Sequence, residues 1–411
     1  MEIRRVAGHA MSSPIDPPQE RSFHGGTRRL LKRDVVLVVV ETADGLRGFA
    51  PAGASSSAMR EYFEGDSQGT FADVVNGPVA AALEGATVDR PGEAHDLLRG
   101  TDLPERVLTE AVSAVDVALY DLLGKERGAP VYELLAEEYG TDPTTDLPLY
   151  ASAGMYMDPE GYVEQARAIE DLGFFGYKYR PGIGPEGDRR TVELLADELG
   201  ACELMLDVHT WWKLREGYDR AVVRDLVEHA DRHGAYWVEE PVAPDDREGY
   251  VDLARTGAPL AGGESETTPT GLVELGETGA VEFLQGDVRH HEGYTGCRAA
   301  VEFCEGRDVT FVPHNFGTWL GLIANAHLVA AAPEVELLEY PVFEGDPALD
   351  ADPDPGMYPF DLAFDLLAGE PAVEDGRLSV PDGPGLGVEV DLGVVDEYPF
   401  REGPWTEFHY D

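Results

Sequence analysis

Basic residues are scarce in this chain of 411: Lys and Arg number 31 against 79 Asp and Glu, a formal net charge of −48. A chain so acidic repels polyanions, which excludes nucleic acid as a partner. Cysteine is scarcer still. Cys202, Cys297 and Cys304 are too few and too irregularly spaced for a disulfide framework or a thiolate metal site, so they read as reduced core thiols. Long apolar runs are also missing. The longest aliphatic stretch, VVLVVV at 35–40, suits one buried strand and falls far short of the roughly 20 residues a membrane helix needs. The opening MEIRRVAGHAMSSPIDPP has no apolar segment of the kind a secretory leader carries, so a cytoplasmic location with no membrane partner is expected.

What is present argues for a folded core. The hydrophobic fraction is 43%, well above that of a disordered acidic tail. A folded chain with this many carboxylates suits a cytoplasm of molar salt, where screening removes self-repulsion. Halophilic origin is the corresponding expectation.

From about residue 145, strand-like runs alternate with helix-like segments. The runs are LYASAG (149–154), GYKYRPG (176–182), ELMLDVH (203–209), AYWVEEP (235–241), LAGGES (260–265), EFLQGDV (282–288), VTFVPHN (309–315) and VELLEYP (335–341). One polar or aromatic residue marks the end of each: Tyr150, Lys178, Asp207, Glu239, Glu264, Asp287, His314 and Glu339, separated by 23 to 32 residues. That interval is one strand, one helix and two loops, the period of a βα unit. Segments 159–173 and 188–200 carry apolar residues at helical spacing and close on Gly. Eight such units predict an α/β fold with a (β/α)8-type barrel over 140–340, its chemistry at the C-terminal strand ends. Residues 1–139 read as a separate α+β cap with a hairpin over 34–53, turned at Asp44–Gly45, and a strongly periodic helical stretch over 105–135. Residues 341–411, rich in Pro, Gly and Asp, are expected to pack back onto the cap.

Asp207, Glu239 and Glu264 end three successive strands, and neighbouring strands lie about 5 Å apart. Three carboxylates at one point repel unless a hard divalent cation joins them, and all-oxygen ligation favours Mg2+. The blander reading is a solvated rim in a chain where about one residue in five is acidic. In WVEEP the side chains alternate, so Glu239 is taken as the ligand and Glu240 as a supporting contact. Asp287 and His314 end adjacent strands, where a carboxylate on one ring nitrogen would make the imidazole a general base. Lys178 and Arg180 share a face and could hold a substrate carboxylate; only Lys178 could also move a proton, because Arg titrates far too high. A surface pair neutralising nearby acids is the alternative. Glu339 either donates a hydrogen bond to a developing oxyanion or pairs with Lys178. Asp207 and His209 share a face, which puts a second imidazole across the cluster from His314. Trp211 and Trp212 read as packing at the barrel mouth.

These motifs resemble the mandelate racemase and muconate lactonising branch of the enolase superfamily. AVSAVDVALYDLLGKERGAPVYELLA (111–136) resembles that family's long helix between cap and barrel. KYR, LDVH, WVEEP, GGE, QGDV, PHNF and LLEYP follow in the family's order and spacing, so the likeness spans essentially the whole chain. It implies Mg2+ on Asp207, Glu239 and Glu264, with Lys178, the Asp287–His314 pair and Glu339 around a small-molecule carboxylate substrate. It also implies removal of a proton α to that carboxylate, and a homo-oligomer of two or more chains. The family's racemases resembling mandelate racemase carry Lys-x-Lys where this chain has Lys178 and Arg180, and Asp-x-His on the third strand resembles some acid-sugar dehydratases.

The expected function is therefore a Mg2+-dependent dehydratase of a sugar acid, with His209 or His314 protonating the leaving hydroxyl. The alternatives are a racemase or epimerase using His209 and His314 as two bases, or a non-catalytic sugar-acid-binding protein. Substrate contacts are sought in the cap loops 14–29 and 50–63, with Arg21, His24 and Arg28 as candidates or as plain solvated loop residues, and near the sixth strand end at Arg289 and His290.

Overall fold

A computed structural model describes all residues except 54–58, 60, 61, 64–68 and 216. The cap is built on three strands in sequence order, β1 (Ile3–Phe23), β2 (Gly26–Thr42) and β3 (Arg47–Gly53). All pair antiparallel, with Asp44 and Gly45 turning β2 into β3 as expected. The stretch 14–29, read from sequence as a loop, is instead the far half of the long β1–β2 hairpin, with its tip at His24–Gly25. Pro14, Pro17 and Pro18 lack the N–H a ladder uses, and the pairing register slips between Pro14 and Gln19 to pass over them.

The periodic stretch 105–135 is two helices, Glu105–Arg127 and Val131–Tyr139. Gly128, with φ 69°, ends the first in a left-handed turn, and Pro130 caps the second. The first helix packs closely on β3: a Cβ on Gly48 would sit 2.0 Å from the Ala118 carbonyl oxygen. Gly48→Ala is therefore expected to lower stability by about 1–3 kcal/mol, read as a reduced denaturant midpoint in molar KCl.

Eight parallel strands make the second unit: β4 (Asp146–Met155), β5 (Gly176–Arg180), β6 (Glu203–Asp207), β7 (Trp237–Glu239), β8 (Leu260–Gly262), β9 (Phe283–Leu284), β10 (Thr310–Phe311) and β11 (Leu338–Pro341). They run in the order β10-β9-β8-β7-β6-β5-β4-β11. All eight runs read from the sequence are strands. Among the described residues, seven helices of two or more turns alternate with them, from Pro159–Asp171 to Trp319–Ala331, whereas after β11 only the single turns Leu362–Asp365 and Val394–Glu397 occur. No ladder joins β10 to β11; Asn315, just past β10, bridges the seam by donating its N–H to Glu339 Oε2 (2.9 Å) and its amide to the Glu339 carbonyl (3.2 Å).

An interior layer of Tyr150, Met205, Trp237, Ala261, Val312 and Leu337 fills the barrel. Trp237 meets Tyr150 edge-on with centroids 5.1 Å apart, giving the strand ends a rigid apolar floor. Strand β12 (Ala372–Glu374) pairs with β13 (Arg377–Ser379), which continues onto the start of β4, and β14 (Thr406–Tyr410) adds to the cap on β2. Cys202, Cys297 and Cys304 are free and buried. Among the described residues no helix is long and apolar enough to cross a membrane.

Candidate active site

In-register pairing of β6 with β7 sets Asp207 directly beside Glu239, and Glu264 follows the end of β8 one strand further on. One oxygen from each of the three lies within 4.8 Å of the others. Glu239 is the most enclosed. Lys178 Nζ lies 2.9 and 3.0 Å from its two oxygens, and Oε2 also accepts from Gln285 Nε2 (2.8 Å) and Trp237 Nε1 (3.2 Å). Burial and the neighbouring carboxylates nevertheless push Glu239 up to about 8, since three acids cannot all ionise at one point without a cation.

Lys178 is fully buried and bridges to Glu339 Oε1 at 2.8 Å. Burial works against its charge, but Glu239 and Glu339 hold it above the ordinary lysine value. Glu339 is in turn held below the usual carboxylate range against its burial, by Lys178 and His314. Its Oε2 also accepts from the Tyr150 hydroxyl (3.2 Å). Of the two roles open from sequence, the geometry realises the ion pair.

His314 Nδ1 sits 3.0 Å from Asp287 Oδ2, and Nε2 points into the cluster, 3.1 Å from Glu264 Oε2. Burial disfavours the imidazolium, but Glu264 and Asp287 outweigh it and raise the imidazole to about 9. His314, with Lys213, draws Glu264 down to about 2 despite its burial. Asp287 is itself overdetermined. It accepts from the Arg289 N–H (2.9 Å), the Arg289 guanidinium (3.0 and 3.1 Å from Nε) and Asn325 Nδ2 (3.1 Å). Arg289, open from sequence as a substrate contact, is thus committed to Asp287 and to the Phe316 carbonyl.

On the opposite side, His209 Nδ1 lies 2.6 Å from Asp207 Oδ1, and Arg180 Nε lies 3.0 Å from Oδ2. Burial opposes the Asp207 charge, yet His209, Arg180 and Lys178 hold the carboxyl well below its usual range. The His209 imidazole is pulled down by burial despite Asp207. Arg180 also donates to Ser152 Oγ (3.1 Å) and lies 4.7 Å over the Phe316 ring. His209, Arg180 and Asp207 thus form one unit across the cluster from His314.

The other candidates fall around the rim. His290 has its imidazole pulled down by burial to about 3, and its backbone N–H donates to the Asp287 carbonyl (2.9 Å). His24, at the hairpin tip, donates its N–H to the Gly182 carbonyl (2.8 Å) and sets its ring edge-on to Tyr218. Arg21 turns to Gln19 Oε1 and the Met357 carbonyl. Neither Arg21 nor His24 touches the cluster. Much of loop 50–63 lies outside the described residues. Glu240, forced to φ 48°, turns its carboxylate to the N–H and hydroxyl of Ser265 (3.0 and 2.9 Å). Trp211 is buried and donates to Asp188, and Trp212 to the Glu240 carbonyl.

Two groups went unread from sequence. Gln285 anchors Glu239, and Lys213 lies 3.7 Å from Glu240 and 3.8 Å from Glu264. Lys213 falls four residues after His209, across the helical turn Thr210–Lys213, so helical spacing was the signal for it.

The residues fit a hard cation. The donor set is all oxygen, and Asp207 Oδ2 is buried without an aligned hydrogen-bond donor. Such sets suit Mg2+ better than softer metals.

Known proteins resemble this chain in sequence and fold. Residues 13–136 match the family model for the mandelate racemase / muconate lactonizing enzyme N-terminal domain, and residues 161–394 match the enolase C-terminal domain-like family. The D-galactarolactone cycloisomerase of Agrobacterium fabrum is 27% identical, over 97% of this chain and 99% of its own. The D-xylonate dehydratase of Haloferax volcanii is 24% identical, over 70% of this chain and 69% of its own. The solved 3,6-anhydro-D-galactonate cycloisomerase of Zobellia galactanivorans superposes with a TM-score of 0.77 at 25% identity, over 97% of this chain and 99% of its own.

Proposed function

Because this chain belongs to the mandelate racemase and muconate lactonizing enzyme branch of the enolase superfamily, we propose that it is a Mg2+-dependent lyase that dehydrates a sugar acid. The observation carrying this reading is the convergence of Asp207, Glu239 and Glu264 between two differently held imidazoles, His314 and His209.

Bound to the three carboxylates, Mg2+ would supply the positive charge that makes a hydrogen α to a carboxylate removable. The remaining work falls to side chains. Lys178, fixed between Glu239 and Glu339, presents its ammonium where negative charge develops on the substrate carboxylate. His314, its Nδ1 held by Asp287, takes the C2 proton on Nε2. The C2–C3 double bond forms as the C3–O bond breaks, and the proton on His314 goes to the departing oxygen as water. The resulting enol takes a solvent proton at C3 and releases its O–H proton to solvent, giving a 2-keto-3-deoxy acid. His209, anchored through Nδ1 on Asp207, keeps Nε2 free to bond a substrate hydroxyl. Arg180 holds Asp207 and carries no proton.

A second reading is favoured by the full-length match to D-galactarolactone cycloisomerase. If the oxygen leaving C3 belongs to a ring, the same proton removal opens that ring without losing water. Purified protein in molar KCl with Mg2+, screened by proton NMR in D2O against sugar acids and their lactones, tests these readings. The expected result is a 2-keto-3-deoxy acid that disappears with EDTA. Product from lactones alone would select the cycloisomerase. Deuterium at C2 with no bond broken at C3 would select a racemase with His209 as second base, and saturable binding without conversion a non-catalytic protein.

A further inference from the structure

Strand β2 of the cap carries two guanidinium groups, Arg28 and Arg33, that pack against residues of the barrel and the C-terminal segment with no carboxylate among the described residues in ion-pair contact. Arg28, on β2, is 7% exposed. Its Nε donates to Thr406 Oγ1 (3.2 Å), its Nη1 lies 3.0 Å from Met155 Sδ, and the Tyr156 phenol is an electrostatic neighbour. Arg33, half-buried on the same strand, lies 4.8 Å from the centroid of the Trp405 ring, which also carries Arg28 at 5.0 Å. Among the described residues neither makes an ion pair, although Arg29 and Arg189, which are partly buried, and the exposed Arg220 all do. In a chain with 79 acids against 31 bases, a buried cation left without a carboxylate is the least expected outcome of composition. Leaving it so is costly: burial lowers the Arg28 guanidinium, and Arg33 lowers it further.

Both groups are one side chain away from the cluster. The Phe316 ring, two residues after His314, carries Arg33 at 5.4 Å and Arg180 at 4.7 Å, and Arg180 is the partner of Asp207. Met155 ends β4, and Tyr156, next in the chain, feels the charges of Arg28, Arg180 and Asp207 together. Lys178 and Arg180 are neutralised within the cluster, whereas Arg28 and Arg33, close by through Tyr156 and Phe316, are not. A guanidinium has five donors in a fork suited to a carboxylate, and the three contacts above leave part of the Arg28 fork unused.

We infer that Arg28 and Arg33 form a subsite for a second carboxylate, so that the substrate class is the sugar diacids, or monolactones that keep one free carboxylate, rather than simple aldonic acids. This rests on the reading of the cluster as a sugar-acid lyase site, in which the reacting carboxylate lies at Lys178 and the far end of the chain reaches the cap. The local positive charge would also draw a dianion into a protein whose net charge repels it.

Unreactive probes separate this inference from the activity. Calorimetric titration with glutarate and adipate, against valerate and hexanoate, in molar KCl with Mg2+, is expected to show the diacids binding about 10- to 100-fold tighter. Arg28→Met should erase that preference, Arg28→Lys should restore part of it, and Arg33→Met, at a less buried position, should reduce it; unfolding midpoints check that each variant is folded. Equal binding of mono- and diacids by the wild type overturns the subsite, and tighter binding of 6-phosphonohexanoate than of adipate reassigns it to a phosphate ester. A diacid preference that depends on Arg28, with no sugar acid converted, leaves the subsite standing and removes the lyase reading. Turnover of aldonic acids with aldaric acids ignored does the reverse.

Discussion

Replacing His314 by Asn is expected to lower turnover by on the order of 10³-fold while leaving divalent-cation binding unchanged. The Asn amide can still donate toward Asp287 from near the position of Nδ1, so the buried network of Asp287, Arg289 and Asn325 keeps its partners. Only the group at Nε2 is lost. That asymmetry makes His314→Asn a cleaner probe than any change at Asp287, where removing the carboxylate would strand a buried guanidinium and destabilise the barrel. Steady-state kinetics together with Mg2+ titration calorimetry decide the matter. Turnover within a few-fold of wild type would remove His314 from the chemistry.

Chelation is expected to have an equally large effect. EDTA in molar KCl should abolish turnover and added Mg2+ should restore it, because Asp207, Glu239 and Glu264 crowd their oxygens within 4.8 Å. Mg2+ should also stabilise the fold. Binding only the native state at 100 times its dissociation constant is worth about 2.7 kcal/mol, visible as a rise of several degrees in the unfolding midpoint. Glu239→Gln keeps the shape and removes a ligand charge, so it should lose both the turnover and the thermal response to Mg2+. A variant that retains the thermal response would place the ion elsewhere.

Much of this arrangement is legible in the amino-acid sequence. The eight barrel strands carry their own punctuation, an apolar run that stops at a polar residue every 23 to 32 positions, and few folds besides a repeated βα unit produce that period. What the period could not show was the shortened eighth unit, since Leu362–Asp365 follows a Pro- and Asp-rich stretch with no helical pattern to compare. The long hairpin was hidden for a different reason. Three prolines between residues 14 and 18 read locally as a loop, and only the tertiary register slip accommodates them in a ladder. Within the site, Asp207, Glu239 and Glu264 were legible because strand ends are adjacent by construction. The grip of Arg289 on Asp287 was not legible, because the two lie past the end of β9, where a turn and not strand alternation brings the guanidinium back onto the carboxylate. Lys178 and Glu339 were legible as neighbours but not as an ion pair, because two oppositely charged groups at one barrel mouth can equally bind a substrate between them. The two cap arginines could be counted in sequence, but that they lack a carboxylate partner among the described residues emerges only from the fold.

If this site removes the proton α to a carboxylate, the origin of the hydrogen at C3 of the product reveals it. Conversion in D2O, sampled early by NMR, should place one solvent deuterium at C3, because the C2 proton leaves through His314 and the enol is reprotonated from solvent. Product carrying the original C2 hydrogen at C3, with no solvent deuterium, would mean that the hydrogen migrates within the substrate and that His314 does not release it to water.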